Sequence, residues 1–234
     1  NFRDNDIRNG GQGAPLVPIF HKLLQIKLRL KIPLVFVNIG GISNLTHLDK
    51  NKKMASFDTG PGNFLIDKIL QIKSNDKIQF DEDGKIAFEG NVDRNILDSY
   101  LSDPYYEFPP PKSLDVNDFS LSPLRSLSLE DSVATLSELT SITIINSLNF
   151  FSSKPIEIIL CGGGRKNKYI FERIKKLSNI KISNIDNYKI NGDFIESQAF
   201  AYLATRSFLK KPITFPETTG VTRPISGGDF IELK

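Results

Sequence analysis

Leu16, Ile19, Phe20, Leu23 and Leu24 recur at the spacing of one helical face, directly after Pro15 and ahead of Pro33. Proline suits a first helical turn because its missing N–H is not needed there, so the pattern predicts a helix from Pro15 that leans on a sheet. The nearly continuous apolar run Leu34 to Ile39 reads as a buried strand. Gly40 and Gly41 then turn the chain into a second β-rich run, Ile42 to Leu48. Polar residues 49–53 make another turn before a third strand, Met54 to Phe57. The loop Asp58-Thr59-Gly60-Pro61-Gly62-Asn63 opens a helix carrying Leu65, Ile66, Ile69 and Leu70.

Tyr105 to Pro123 is rich in proline and polar residues with little periodicity, which predicts a surface excursion near 102–128. Helical spacing resumes with Val133, Leu136, Leu139, Thr140 and Thr143. A strand from Ile156 to Leu160 follows and ends in Cys161-Gly162-Gly163-Gly164. Ile170, Phe171, Ile174 and Leu177 mark the next helix, Ile180 to Ile185 a further strand, and Ala199, Phe200, Leu203 and Ala204 the apolar face of the last long helix. Strands interleaved with helices predict an α/β fold. Residues 1–33 read as a junction segment with the first helix, and 34–234 as the main lobe.

Composition narrows the function classes. The 39% hydrophobic and 24% charged residues are those of an ordinary globular chain, and no apolar stretch approaches the roughly 20 residues a bilayer crossing needs. A formal charge of +3 with scattered Lys and Arg gives no basic face for nucleic acid. The single cysteine, Cys161, excludes an intramolecular disulfide and a multi-cysteine metal site, and suits a reducing, cytoplasmic setting. His21 lies among apolar helical residues and His47 at a strand end, both expected to be structural.

The glycine loops Gly40-Gly41, Gly60-Pro61-Gly62 and Gly162-Gly163-Gly164 each join regular elements. Glycine lets a backbone approach a ligand closely, and turns feeding helix N-termini aim amides at anions such as phosphate. Each loop alone reads equally as a hairpin turn, a strand-to-helix corner or a close helix–sheet contact. The common phosphate-binding loop G-x-x-x-x-G-K-[ST] and the protein-kinase motifs are absent, so a different nucleotide-binding architecture is called for.

Asp6-Ile7, Gly10 to Pro18 (GGQGAPLVP), Asn38 to Thr46 (NIGGISNLT) and Phe57 to Asn63 (FDTGPGN) carry a specific likeness. Pro110 to Ser113 (PPKS), Thr135 to Thr140 (TLSELT), Cys161 to Gly164, Glu196 to Ala201 (ESQAFA) and Thr218-Thr219-Gly220 extend it along nearly the whole chain. In order and spacing the set resembles the anhydro-N-acetylmuramic acid kinases. The resemblance implies a ribonuclease-H-like lobe of the actin-like ATPase superfamily, with a mixed β-sheet flanked by helices, and use of ATP and Mg²⁺. It also implies a reaction in peptidoglycan recycling that opens the 1,6-anhydro bridge of the amino sugar with water and phosphorylates O6. Family analogy suggests a homodimer.

The resemblance further implies roles for single residues. Asp6 matches the position expected to take a proton from the attacking water, although a loop aspartate near a terminus is otherwise read as solvated. Glu196 matches a second acidic position, yet Asp193 before it makes a helix-capping pair equally natural. Arg3, Gln12 and Gly13 are candidates for sugar contact or for shaping the junction. Asn38, Gly40, Gly41, Asn44, Asp58, Gly60, Gly62 and Asn63 are candidates for the β- and γ-phosphates, with Asp58 also positioning hydrated Mg²⁺. Gly162, Gly163 and Gly164 resemble the superfamily's adenosine-contacting turn.

Complete kinases of this family carry an upstream lobe with a G-T-S-x-D-G loop, which does not occur here. The chain is therefore expected to be a C-terminal part lacking the N-terminal lobe, and nearly inactive alone. A non-catalytic actin-like nucleotide-binding module and a hexose kinase of related fold stand as the alternatives.

Overall fold

The computed structural model describes residues 1–229, so the last five positions of the expected main lobe, 230–234, lie outside the described residues. In chain order the elements are α1 (Asp4–Arg8), α2 (Pro18–Lys27), β1 (Leu34–Ile39), β2 (Ile42–Leu48), β3 (Met54–Pro61), α3 (Phe64–Ser74), α4 (Lys85–Glu89) and α5 (Arg94–Leu101). There follow α6 (Leu129–Ser147), β4 (Glu157–Cys161), α7 (Lys168–Leu177), β5 (Lys181–Asn184), α8 (Ile195–Phe208) and α9 (Pro216–Thr219).

The five strands form one sheet in the order β3-β2-β1-β4-β5. β1, β2 and β3 pair antiparallel through the short glycine and polar turns, while β4 and β5 run parallel to β1. This mixed order is the ribonuclease-H-like arrangement. β1 is central, and its alternate residues feed opposite faces. Val35, Val37 and Ile39 join Leu65, Ile69, Leu136, Leu139 and Ile170 in the core under α3, α6 and α7. Leu34 and Phe36 join Phe20, Leu24, Ile195, Ala199 and Leu203 in the core under α2 and α8. Phe36 is fully buried, and truncating it to alanine would cost roughly 3–5 kcal/mol.

Local chemistry sets most helix starts. Asp93 accepts from the Ile96 amide, Ser128 from Asp131 and Asn167 from Ile170, capping α5, α6 and α7. α6 is buried on almost every side, and its Glu138 is satisfied by a bidentate pair with Arg173 at 2.5 Å.

Four expectations are corrected. The helix expected from Pro15, α2, starts at Pro18: a helix begun at Pro15 would place the Pro18 ring, with no N–H to give, against the preceding turn. β3 continues past Phe57 to Pro61, since residues through the glycine loop still pair with β2 across a bulge at Ser43/Asn44. In α8 the buried face is Ile195, Ala199 and Leu203, one residue per turn, and Phe200 and Ala204 are exposed. Short helices α4 and α5 occupy a stretch in which the sequence pattern had predicted no element.

Candidate active site

β1, β3 and β4 all end at the same edge of the sheet, because β3 and β4 both run in the direction of β1. The three glycine turns that follow or join them therefore meet there. The amides of Gly62 and Asn63 donate to the Gly41 and Gly40 carbonyls at 2.9 and 2.7 Å, and Phe64 donates to Gly41 at 3.1 Å. A Cβ on Gly62 would sit 2.2 Å from the Gly40 carbonyl oxygen, so this approach requires glycine. Gly162, at φ +75°, lies against Asn38 and Ile39: a Cβ there would meet the Asn38 Oδ1 at 2.6 Å. The amides of residues 62–64 are thus committed to the neighbouring turn and are not free donors for phosphate.

Across the same edge the register aligns Cys161, Asn38, Asn44 and Asp58 on adjacent strands and on one face. The side-chain amides of Asn38 and Asn44 have no hydrogen-bond partner among the described residues. Asp58 is 6% exposed. Its Oδ2 accepts from the Leu114 amide at 2.9 Å. Burial pushes its carboxyl up to about 6, partly offset by that hydrogen bond and by the positive charge of Arg3. Hard oxygen donors with one carboxylate fit a hydrated Mg²⁺, which takes most of its shell from water and phosphates. Among the described residues no cluster of three or more His, Cys, Asp or Glu side chains could hold a metal.

Beside the Gly163 turn opens a cavity of about 520 Å³ lined by Asn63, Ile66, Asp67, Asp81, Gly164 and Lys166, among others. Asp67 is raised to about 6 by burial and by the neighbouring Asp81. Asp81 itself accepts from the Ile86 and Ala87 amides at the start of α4. Arg165, buried behind the turn, donates to the Gly162 carbonyl, to Asp186 and to Asp193, linking the turn to the segment that starts α8.

On the α2/α8 face the N-terminal segment meets α9. Asp6 is 1% exposed, with Oδ2 accepting from the Gly13 amide and Oδ1 from the Thr219 hydroxyl, each at 2.7 Å. The solvated-loop reading of Asp6 is therefore overturned. Gln12 donates from its backbone to the Thr219 carbonyl and from its side chain to the Pro111 carbonyl at 3.2 Å. α9 packs on β3, which brings this group to the strand that carries Asp58. Gly13 is buried at φ +73°. Glu196 is exposed in the first turn of α8, and no capping pair with Asp193 forms, because Asp193 binds Arg165 and Lys166 instead.

Sequence reasoning missed Thr219 as the partner of Asp6, the acidic wall of Asp67 and Asp81, and the grip of residues 105–114 on Asp58. Two of these lie in motifs quoted above, PPKS and Thr218-Thr219-Gly220. Nothing in their spacing said which acid they meet.

The sheet order β3-β2-β1-β4-β5, with β2 antiparallel and helices on both faces, defines a ribonuclease-H-like fold. Within that class the chain belongs to the anhydro-N-acetylmuramic acid kinase family, whose model matches residues 1–232. It is 45% identical to the anhydro-N-acetylmuramic acid kinase of Pelagibacter ubique, covering 99% of this chain and 64% of that protein. It is 41% identical to that of Caulobacter vibrioides, covering 100% and 62%. The chain thus spans just under two thirds of the length of these relatives. Among solved structures it is similar to a xylulose kinase from Brucella ovis (13% identity, TM-score 0.47, 84% of this chain and 44% of that one). It is also similar to the activator of the 2-hydroxyisocaproyl-CoA dehydratase from Clostridium difficile with bound ADPNP (14%, TM-score 0.45, 77% and 64%). Likenesses this distant add nothing to the site. No helix of the described residues is long and apolar enough to cross a membrane.

Proposed function

We propose that this chain is the ATP-holding part of an anhydro-N-acetylmuramic acid kinase, acting in the cytoplasm as a homodimer. The observation that carries the reading is the meeting of three glycine turns at one sheet edge, beside the unpartnered amides of Asn38 and Asn44 and the Asp58 carboxylate. The nucleoside would enter the cavity by Gly163 and Gly164. Its acidic wall disfavours phosphate there and leaves the phosphates to the Asn38–Asn44–Asp58 row. Mg²⁺, when bound, would screen the phosphate charge.

Asp6 would take the proton of a water as its oxygen bonds to the anomeric carbon and the bond from that carbon to the bridging oxygen breaks. The freed O6 then takes the γ-phosphoryl group and ADP leaves. The hydrogen bonds from Gly13 and Thr219 hold the Asp6 carboxylate in place while leaving each oxygen a lone pair to accept with. Arg3, Gln12 and Glu196 would border the sugar.

The test is incubation with MgATP and the 1,6-anhydro amino sugar, using this chain and the full-length protein. A product heavier by one water and one phosphoryl group is expected from the full-length protein, with little turnover by the chain alone. Phosphorylation without water uptake would mean an ordinary hexose kinase. ATP binding with no effect of the sugar would mean a non-catalytic module.

A further inference from the structure

Lys112 is a buried cation with no acid partner among the described residues. It is 7% exposed, and its Nζ donates to the carbonyls of Tyr105 at 2.8 Å and Tyr106 at 3.2 Å. The same ammonium lies 4.5 Å from the ring centres of Tyr105 and Phe150, and 5.6 Å from that of Phe57. A charge so far out of water persists only where donors are satisfied and ring faces stabilise it.

The segment it closes, residues 105–114, lies along the free edge of β3 and holds one residue three times. Asp58 N–H donates to the Lys112 carbonyl at 3.1 Å, the Tyr105 hydroxyl donates to the Asp58 carbonyl at 2.6 Å, and the Leu114 amide donates to Asp58 Oδ2. The backbone of Asp58 is fixed on both sides and its carboxylate is fixed by one oxygen. The other oxygen has no partner among the described residues. Lys112 ties the start of this segment to its end, since its side chain binds residues 105–106 while its carbonyl binds Asp58.

We infer that Lys112 is a positioning residue: by cross-linking the 105–114 strap over β3 it aims the Asp58 carboxylate. The inference rests on the reading of Asp58 as the acid that meets the hydrated metal–phosphate end of the nucleotide. Losing an outer partner of such a carboxylate typically costs about 10- to 100-fold in metal dependence.

The experiment compares Lys112→Met, Tyr105→Phe and Asp58→Asn with the parent, all in the full-length protein. ATP affinity is measured in Mg²⁺ and in EDTA, and amide exchange at Leu114 is followed without nucleotide. Lys112→Met and Tyr105→Phe are expected to speed exchange at Leu114. They should also shrink the Mg²⁺-dependent gain in affinity by about 10- to 100-fold, leaving affinity in EDTA unchanged. Tyr105→Phe removes a single hydroxyl, so it carries the test if Lys112→Met fails to fold. Unaltered exchange at Leu114 overturns the inference. So does an equal loss of affinity with and without Mg²⁺, which would mark Lys112 as merely structural. If Asp58→Asn abolishes the gain while both strap variants keep it, Lys112 loses its role and Asp58 keeps its own. If Asp58→Asn also keeps the gain, the reading of Asp58 falls with it.

Discussion

His21 and Asp58 are buried titratable residues whose environments act in opposite directions on stability. The Nδ1 of His21 lies 2.8 Å from the Thr46 hydroxyl, which contacts Ser56 at 3.5 Å, and Ser56 donates to the Leu45 carbonyl. Because this chain ends on an acceptor, each hydroxyl donates onward and His21 donates from Nδ1. Nε2 is left buried without a partner among the described residues, so a second proton would have no acceptor there, and burial holds the imidazole down to about 3. A group depressed from 6.5 contributes stability that is whole above pH 6.5 and is lost as pH falls. Between pH 7 and pH 5 the loss is about 2 kcal/mol. Asp58, raised to about 6, has the reverse sign: its contribution is whole below pH 4 and is lost as pH rises through 6. Urea unfolding at pH 7 and pH 5 should show the parent losing about 2 kcal/mol more than His21→Leu, since the Asp58 contribution is common to both and cancels. Asp58→Asn should raise stability at pH 7 by roughly 1–3 kcal/mol, because Asn still accepts from Leu114 and carries no buried charge. The parent's Mg²⁺-dependent ATP affinity should climb more steeply as pH rises through 6 than that of Asp58→Asn, in which Asp67 and the terminal phosphate still titrate.

At the scale of elements, Gly62 and Gly163 separate what a turn needs for folding from what it offers a ligand. A Cβ on Gly62 collides with the Gly40 carbonyl, so Gly62→Ala must part β3 from the β1–β2 turn, at a cost of about 1–3 kcal/mol. A Cβ on Gly163 meets nothing within 4 Å. Gly163→Ala should therefore melt with the parent yet bind ATP more weakly, by about tenfold or more if the nucleoside fills that space. Equal affinity would move the nucleoside elsewhere. The strands and long helices were legible because their periodicity is strong and because β1, buried on both faces as far as Val37, has to be apolar over that stretch. α4 and α5 were not, since a five-residue helix such as Lys85–Glu89 is too short to show a period. The face of α8 was misread because an exposed Phe200, tilted against Phe2 with ring centres 5.9 Å apart, looks in sequence like a core residue. The glycine turns were legible as loops, and only the sheet order brings them to one edge. The Asp193–Glu196 spacing promised a cap that Arg165 forestalls by binding Asp193 at 2.9 Å.

Across the whole molecule, the contact between Asp6 and Thr219 joins residues 213 positions apart and fixes the N-terminal segment against α9 and β3. It was invisible in sequence because neither residue has a period or a charge partner to betray the pairing. The Asp6 carboxylate would then hold the fold together as well as take a proton, and the usual test of a base confounds the two. In Asp6→Asn the amide nitrogen would face either the Gly13 N–H or the Thr219 hydroxyl. One buried donor then meets another, or the hydroxyl turns to accept, and about 1–3 kcal/mol of stability goes with the change. Thr219→Val separates the effects, since it removes the donor on Oδ1 and leaves a carboxylate beside Gly13. In the full-length protein both variants should melt earlier. Asp6→Asn should lose turnover by about 10²-fold or more, the scale of a general base, while Thr219→Val should keep it within about tenfold. Parallel losses of turnover in the two variants would make Asp6 a fastener of the chain's two ends and move the base elsewhere. The exposed Glu196 on α8 would then be the next residue to replace.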